Sequence, residues 1–172
     1  MPSVAVAPNQ RWFTDMCRVW VGRDGKATLA LVIVYHAREL LCWHLSRNGK
    51  AATASNALEQ ALIARFGTLG RVPEPLLLRS DNGLVFKSRN YTELVRSYGL
   101  RQEFIAPHCP HQNGVIERVT RMLKEQRAHR HRFETLQHAC GAIADWIQFY
   151  NHQRSHQMLK MKTPAEAFAL AT

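Results

Sequence analysis

Three acidic residues have sequence surroundings that could give a carboxylate a chemical task. Asp15 lies within the aromatic and β-branched run RWFTDMCRVWV, where a lone buried charge would be costly. Asp81 ends the apolar run LLLRSD and is followed by Asn82 and Gly83. Glu117 lies early in a helical pattern that follows a loop with two prolines. Carboxylates that strands and helices hold in place can bind hard metal ions.

Each acid taken alone also has an ordinary structural explanation. Asp, Asn and Gly are the commonest turn residues, so Asp81 could lie in a solvated loop. A twist of the strand could turn the Asp15 face towards solvent, or an arginine could pair with it. Glu117 could form an i,i+4 pair with Arg121 on a solvated helix face, a contribution of about 0.3–0.5 kcal/mol. The rest of the sequence must decide.

The strands and helices that would position these acids follow from the spacing of the apolar residues. Aromatic and β-branched runs with an Asp-Gly turn signal predict an antiparallel meander over residues 11–21, 28–35 and 39–45. Helical and strand patterns then alternate through the segments 51–67, 75–81, 89–99, 101–105, 114–126 and 134–151, before a capped helix at TPAEAFAL. We therefore predict an α/β fold whose mixed central sheet is flanked by helices.

The composition favours a soluble protein of one domain that binds a polyanion. Lys and Arg outnumber Asp and Glu by 23 to 13, and the formal net charge is +10 with neutral histidines. Nucleic acid is the leading partner for such a charge, although a basic but otherwise ordinary protein is the alternative. No apolar run approaches the length of a membrane span, and MPSVAVAP lacks the positive start of a secretory signal.

The four cysteines are predicted to be reduced thiols. None of them forms a Cys-x-x-Cys pair, and a secreted disulfide scaffold of this size would be denser in cysteine. His108, Cys109 and His111 are candidate zinc ligands, but no second ligand pair stands at zinc-finger spacing.

The order and spacing of the acids resemble a known signature. Thirty-five residues separate Asp81 from Glu117, and Lys124 lies seven residues beyond the glutamate. With Asp15, this order resembles the D,D-35-E plus Lys/Arg signature of integrase-type catalytic cores, which retroviral integrases and many bacterial insertion-sequence transposases share. The motifs WFTDM, RSDNG, PHCPHQNGVIERVTRMLKEQ and the tail WIQFYNHQRSHQMLKMKTPAEAF extend the resemblance over residues 11 to 168.

The resemblance implies a fold and a reaction. The fold would be ribonuclease-H-like, with Asp15, Asp81 and Glu117 as the catalytic residues and the ligands of two Mg²⁺ or Mn²⁺ ions. The reaction would be nicking at the ends of a DNA element, followed by strand transfer into target DNA. Arg121 and Lys124 would hold phosphates of the DNA. Loop-shaping or supporting roles would fall to a polar and glycine set: Asn82, Gly83, Gln112, Asn113 and Gly114.

The resemblance also implies an organisation and partners. We predict a leader over residues 1–10, a catalytic core over 11–132 and a helical extension of the core over 133–172. The partners would be DNA, as element ends and target duplex, and further copies of the chain, because paired-end chemistry requires a multimer. A cytoplasmic, nucleoid-associated bacterial protein is expected. Relatives usually recognise their terminal repeats with an upstream domain, and neither a helix-turn-helix nor a zinc motif precedes residue 11.

Two alternative functions and one basic segment stay open at this point. A metal-dependent nuclease of the same fold would cut DNA without joining it, and a decayed relic would bind DNA without catalysis. Departures from the family pattern at Val34, His111 and Ser155 fit either a divergent enzyme or a decaying copy. The run RAHRHR, residues 127–132, is interpreted as a phosphate-binding segment or a solvated helix end.

Overall fold

The computed structural model describes residues 6–128 and 132–172 and contains a five-stranded mixed sheet with helices on both faces. The strands are β1 Arg11–Trp20, β2 Lys26–Val34, β3 Leu40–Ser46, β4 Leu76–Ser80 and β5 Leu100–Phe104. The α-helices are α1 Ala51–Phe66, α2 Leu84–Lys87, α3 Arg89–Ser97, α4 Gly114–Leu123, α5 Leu136–His152 and α6 Pro164–Ala169. A π-helical turn, Lys124–Ala128, continues α4.

The sheet has the predicted topology of three antiparallel strands followed by parallel ones. Its strand order is β3-β2-β1-β4-β5, with β1 antiparallel to β2 and parallel to β4. Strands β2 and β3 are antiparallel, whereas β4 and β5 are parallel. Because β1 and β4 run in the same direction, their carboxyl ends lie side by side at one edge of the sheet. The prediction of a mixed sheet flanked by helices is confirmed.

The two faces of the sheet bury separate apolar clusters. Alternate residues of β1 and β2, such as Phe13 and Leu31, pack with α4 and α5 on one face. The intervening residues, such as Trp12 and Val32, pack with α1 and α3 on the other face. The period-two alternation of a strand divides neighbouring residues in this way. Val34, one of the departures from the family pattern, is fully buried in the second cluster.

The ends of α1 and α6 follow the signals in the sequence, but the short helix α2 was not predicted. Helix α1 stops at Gly67, which adopts the left-handed conformation with φ +76°. Helix α6 begins with the predicted capping box, in which Thr163 and Glu166 each accept from the other's backbone N–H. The four-residue helix α2 was missed, because one turn is too short to show a 3.6-residue period.

The end of α5 is attached to the β2–β3 turn and the edge strand β3. The Asn151 side chain accepts a hydrogen bond from the Leu40 backbone N–H and donates to the Leu40 carbonyl, both at 2.9 Å. Tyr150 Oη donates to the carbonyl of Arg38 at 2.9 Å. The side-chain amide of Asn151 thus satisfies the backbone N–H and carbonyl of Leu40, which a neighbouring strand would otherwise satisfy at this edge of the sheet. The division into core and extension stays a prediction, although α5 packs on the core of the sheet.

Several smaller predictions can be followed in the structure. The four cysteines are free thiols, as expected. None of the helices in residues 6–128 and 132–172 is long and apolar enough to cross a membrane. Half of the basic run 127–132, residues 129–131, lies outside the described residues, so its interpretation stays open.

Candidate active site

Asp15 lies on β1, on the sheet face that packs against α4. Its neighbours Phe13 and Cys17 on the same face belong to the cluster around α4 and α5. The Met16 backbone N–H donates to Asp15 Oδ1 at 2.8 Å. Burial raises the pKa of Asp15 to about 6; the Met16 hydrogen bond opposes this, and the charges of Asp81 and Glu117 raise the pKa further.

Asp81 follows β4 directly, beside Asp15. In the parallel pairing of these strands Phe13 stands opposite Arg79. Asp15 lies two residues after Phe13, and Asp81 lies two residues after Arg79, just beyond the end of β4. The two acids therefore point to the same face of the sheet. The contribution of Asp81 to the raised pKa of Asp15 is the electrostatic consequence of this placement. Asp81 Oδ1 accepts a hydrogen bond from the Gly83 backbone N–H at 2.8 Å, which orients the carboxylate.

Glu117 reaches the same region from the first turn of α4. Its side chain is exposed, and its charge contributes to raising the pKa of Asp15. Three carboxylates from a central strand, the end of the neighbouring strand and a helix therefore lie within electrostatic reach of one another. The structure thus brings the three predicted acids to one region of one sheet face.

The two predicted phosphate-binding residues differ in how the structure places them. The charge of Lys124 lowers the pKa of Asp15 and opposes the rise that burial causes in the pKa of Cys17, so its ammonium group lies near both. Lys124 also begins the π-helical turn, a rare conformation that is frequent at functional sites. Arg121 lies one helical turn after Glu117 and is exposed on that side of α4.

Polar side chains of the predicted loop-shaping set connect the segments around the acids. Asn82 Nδ2 donates to the Ile105 carbonyl at 2.7 Å and so links the turn after β4 to the segment after β5. Gln112 Oε1 accepts from the Ala106 backbone N–H at 3.1 Å and closes the loop that leads into α4. Asn113 is buried in front of α4, and its Oδ1 has no hydrogen-bond partner among residues 6–128 and 132–172.

The two glycines of the same set have different surroundings. A Cβ atom at Gly83 would lie 2.8 Å from Asp81 Oδ1, so the observed position of the carboxylate depends on the missing side chain. A Cβ atom at Gly114 would meet no heavy atom within 4 Å of the described structure. Position 83 therefore requires glycine because the Asp81 carboxylate lies so close to it, whereas Gly114, the first residue of α4, could be replaced by alanine.

A buried ionic network next to the acids was not predicted from the sequence. Glu103 on β5 accepts two hydrogen bonds from Arg79, at 2.9 and 3.1 Å, and forms an ion pair with Arg11 at 3.1 Å. Arg79 also donates to the Gln112 carbonyl at 3.1 Å, which ties the loop before α4 to the sheet. Burial alone would raise the pKa of Glu103, but the two arginines outweigh it and hold that pKa below its ordinary value.

The acids provide the oxygen ligands that Mg²⁺ and Mn²⁺ prefer. The raised pKa of Asp15 results first from burial and then from repulsion by Asp81 and Glu117, and a cation would relieve the repulsion. In the described part of the chain, however, no group of three or more His, Cys, Asp or Glu side chains is arranged to hold a metal ion. The donor chemistry fits a divalent cation, and the side chains would have to draw together to bind it.

Comparison with known protein families and structures gives a consistent result. Two family models, both described as integrase core domain, match residues 5–110 and 98–164. The chain is 29% identical over 163 residues to the InsK protein of insertion sequence element IS150 from Escherichia coli (strain K12), covering 94% of this chain and 55% of that protein. It is 28% identical over 166 residues to the transposase of IS629 from Shigella sonnei, covering 95% and 53%.

A solved structure with a similar fold is the HTLV-2 integrase catalytic core domain in complex with magnesium. It superposes with a TM-score of 0.72 at 18% identity and covers 96% of this chain and 99% of that one. The fold of the chain is therefore ribonuclease-H-like, as the family resemblance implied. The chain spans about half the length of the curated relatives it matches.

Proposed function

Because this chain belongs to the integrase core domain family, we propose that it is the catalytic core of a bacterial insertion-sequence transposase. In the proposed reaction, water attacks a phosphodiester at each end of a DNA element and displaces a 3′-oxygen. The freed 3′-hydroxyl then attacks a phosphodiester of the target DNA and displaces the 3′-oxygen of that bond, and each step is an in-line displacement at phosphorus. The observation that carries the proposal is the electrostatic coupling of Asp15, Asp81 and Glu117, three acids in the D,D-35-E order from three separate elements.

The three acids would hold two divalent cations in this proposal. When bound, such ions would activate the attacking water or hydroxyl group and would stabilise the departing oxygen of the phosphodiester. The Met16 N–H holds one oxygen of Asp15, and the Gly83 N–H holds one oxygen of Asp81, so each carboxylate is oriented before it binds a ligand. Glu117 completes the donor set from α4, whose loop is fixed by Gln112.

Basic groups beside the acids would hold the DNA. Lys124 lies near Asp15, and Arg121 projects from the same helix, so both are suited to contact phosphates next to the reacting bond. The net charge of +10 favours association with a polyanion. Joining two element ends in one reaction requires more than one active site, and we propose that the protein acts as a homo-oligomer.

The decisive experiment measures nicking and strand joining beside DNA affinity for Glu117→Gln. The substitution keeps the size of the side chain but removes the charge that helps to hold a cation, so we expect rates to fall by orders of magnitude. DNA affinity should be unchanged or higher, because an anion near the phosphates is removed. Glu125→Gln, an exposed glutamate one residue after Lys124, is the matched control and should leave both properties unchanged.

The outcomes separate the proposal from its alternatives. Joined product that depends on Mg²⁺ or Mn²⁺ and on Glu117 supports the transposase. Nicks without joining would identify a nuclease of the same fold, and DNA binding without cleavage by the wild type would identify a relic. Wild-type rates in Glu117→Gln would remove this residue from the active site.

A further inference from the structure

A pocket lies beside the candidate active site, on an adjoining face of α4. Its volume is about 560 Å³, and it lies between α4, the β2–β3 turn and the segment after α5. Four basic residues contribute to its wall: Arg38, His111, Arg118 and His156. Among the described residues that line the pocket, none is Asp or Glu. The wall is therefore suited to an anion.

The position of the pocket on α4 relates it to the reacting centre. Successive residues of a helix are about 100° apart, so Arg118 projects to the side of Glu117. Arg118, Val115 and Met122 line the pocket, whereas Glu117, Arg121 and Lys124 do not. One helix thus presents its acid to the candidate active site and a basic residue to the neighbouring pocket.

Arg38 is held in place on the opposite wall. It adopts φ +58°, a left-handed conformation that is uncommon outside glycine, and its carbonyl accepts the 2.9 Å hydrogen bond from Tyr150. Its guanidinium group lies over the Tyr35 ring, 4.9 Å from the ring centre. Because Tyr150 is itself buried, the backbone of this arginine is fixed by the core.

The basic groups of the pocket lie close enough to affect one another. Burial lowers the pKa of Arg38, and the charge of Arg118 lowers it further. Burial also lowers the pKa of His156, with contributions from Arg154 and Arg38. In the described part of the chain, no salt bridge joins Arg38 or Arg118 to a carboxylate. An anion between them would relieve this repulsion.

We propose that this pocket binds a backbone phosphate of DNA adjacent to the segment that enters the active site. This proposal rests on the proposed function for the identity of the polyanion. The apolar side chains of Val115, Met122 and Met158 lie among the basic ones, and they suit the deoxyribose that accompanies each backbone phosphate. The volume exceeds the size of one phosphate group, and Met158 at the rim is 73% exposed, so the pocket is accessible to a duplex.

The test is the salt dependence of duplex DNA binding, measured with EDTA so that no chemistry occurs. Each phosphate contact contributes about −0.9 to the slope of log affinity against log salt. Because both arginines face one phosphate, we expect Arg118→Gln to lower the magnitude of the slope by up to about 0.9 and Arg38→Gln with Arg118→Gln to lower it by about 0.9 in total. Arg118→Lys should restore most of the slope. Arg96→Gln, which removes an exposed charge on α3 behind the sheet, is the matched control and should change it little.

The outcomes distinguish this proposal from the proposed function. If Arg118→Gln folds normally and keeps the wild-type slope, or if Arg96→Gln has an equal effect, the pocket proposal is wrong even when joining succeeds. If joining fails but the slope changes as expected, the pocket stands. Inorganic phosphate and a mononucleotide are tested as competitors. Tight binding of either that duplex DNA does not displace would assign the pocket to a small phosphate ligand and overturn the proposal.

Discussion

Two groups of charged residues lie on the same face of the sheet, and they are arranged in opposite ways. In the acidic group, Asp15, Asp81 and Glu117 carry like charges, and the pKa of Asp15 is raised to about 6. In the ionic network, Glu103 lies between Arg11 and Arg79, and its pKa is lowered. Along β4 and its end, Arg79 and Asp81 are only two residues apart.

The difference separates residues that stabilise the fold from residues that are available for chemistry. The charges of the network are paired with groups of opposite sign, which offset part of the cost of burying them, so removal of one partner leaves a poorly compensated charge. Without a metal ion the three acids repel one another. A bound cation would remove this repulsion, and the free energy gained would strengthen cation binding. Substitutions in the acidic group should therefore reduce activity but not stability, and substitutions in the network should do the reverse.

The largest expected effect is on catalysis, from Asp81→Asn. An asparagine can still accept the hydrogen bond from Gly83, but it loses the charge that would hold a cation. We expect strand joining to fall at least about a thousandfold, with stability equal to or above that of the wild type. Asp145→Asn, on the exposed side of α5, is the control. Retained joining together with a lower melting temperature would show that Asp81 stabilises the fold instead.

The second effect is on stability, from Glu103→Gln. Loss of this charge removes the counter-ion that accepts two hydrogen bonds from the buried Arg79, and we expect a cost of about 3 kcal/mol or less because Glu103 itself is 31% exposed. Urea denaturation should show this loss. Glu93→Gln is the control, because its pair with Arg89 is exposed and is worth about 0.5 kcal/mol or less. Equal losses in both variants would contradict a special role for the network.

The third effect is on the pH dependence of stability in the metal-free protein. Near pH 5 we expect Asp15 to make the largest contribution to this dependence. Its folded-state pKa of about 6 lies above the ordinary value of 3.8, so the folded protein binds the proton more tightly. Stability is therefore lost as pH rises from about 4 to 6, by about 2–3 kcal/mol.

Comparison of the wild type with Asp15→Asn measures this third effect. The variant should be more stable above pH 6, and the two proteins should converge below pH 4. Added Mg²⁺ should stabilise the wild type at neutral pH and leave Asp15→Asn almost unchanged. A difference that is constant with pH would show that Asp15 is not strained by burial and repulsion.

The smallest effect compares two glycine substitutions. Gly83→Ala places a Cβ atom against Asp81 Oδ1 and must displace the carboxylate by several tenths of an ångström. Because small misplacements of reacting groups are costly, we expect kcat to fall about tenfold with little change in stability. Gly114→Ala meets no neighbouring atom and should retain activity. Equal activities would show that the position of Asp81 tolerates adjustment.

Much of the fold was predictable because it depends on local patterns. The five strands and the helices around residues 51–67, 114–126 and 134–151 show regular apolar spacing, and each forms within a few residues of its predicted bounds. The order of Asp15, Asp81 and Glu117 within these elements predicted the family, which the comparisons confirm. The assignment of these acids as catalytic residues is a proposal that the experiments above test.

Contacts between distant segments were not predictable in the same way. Glu103 faces Arg79 because β4 and β5 pair in parallel with these residues in register. Asn151 pairs with Leu40 across 111 positions of the chain, and the pocket joins Arg38, Arg118 and His156 from three segments. Neither periodicity nor residue type at any one of these positions indicates its partner.

The sequence by itself determined the elements, their order and the spacing of the three acids, because backbone periodicity and helix caps act over a few residues. Only the tertiary structure decided which charges face each other. The pKa of Asp15 is raised and the pKa of Glu103 is lowered. Both shifts result from burial and Coulomb interactions, which depend on distances in space that strand register and helix packing set.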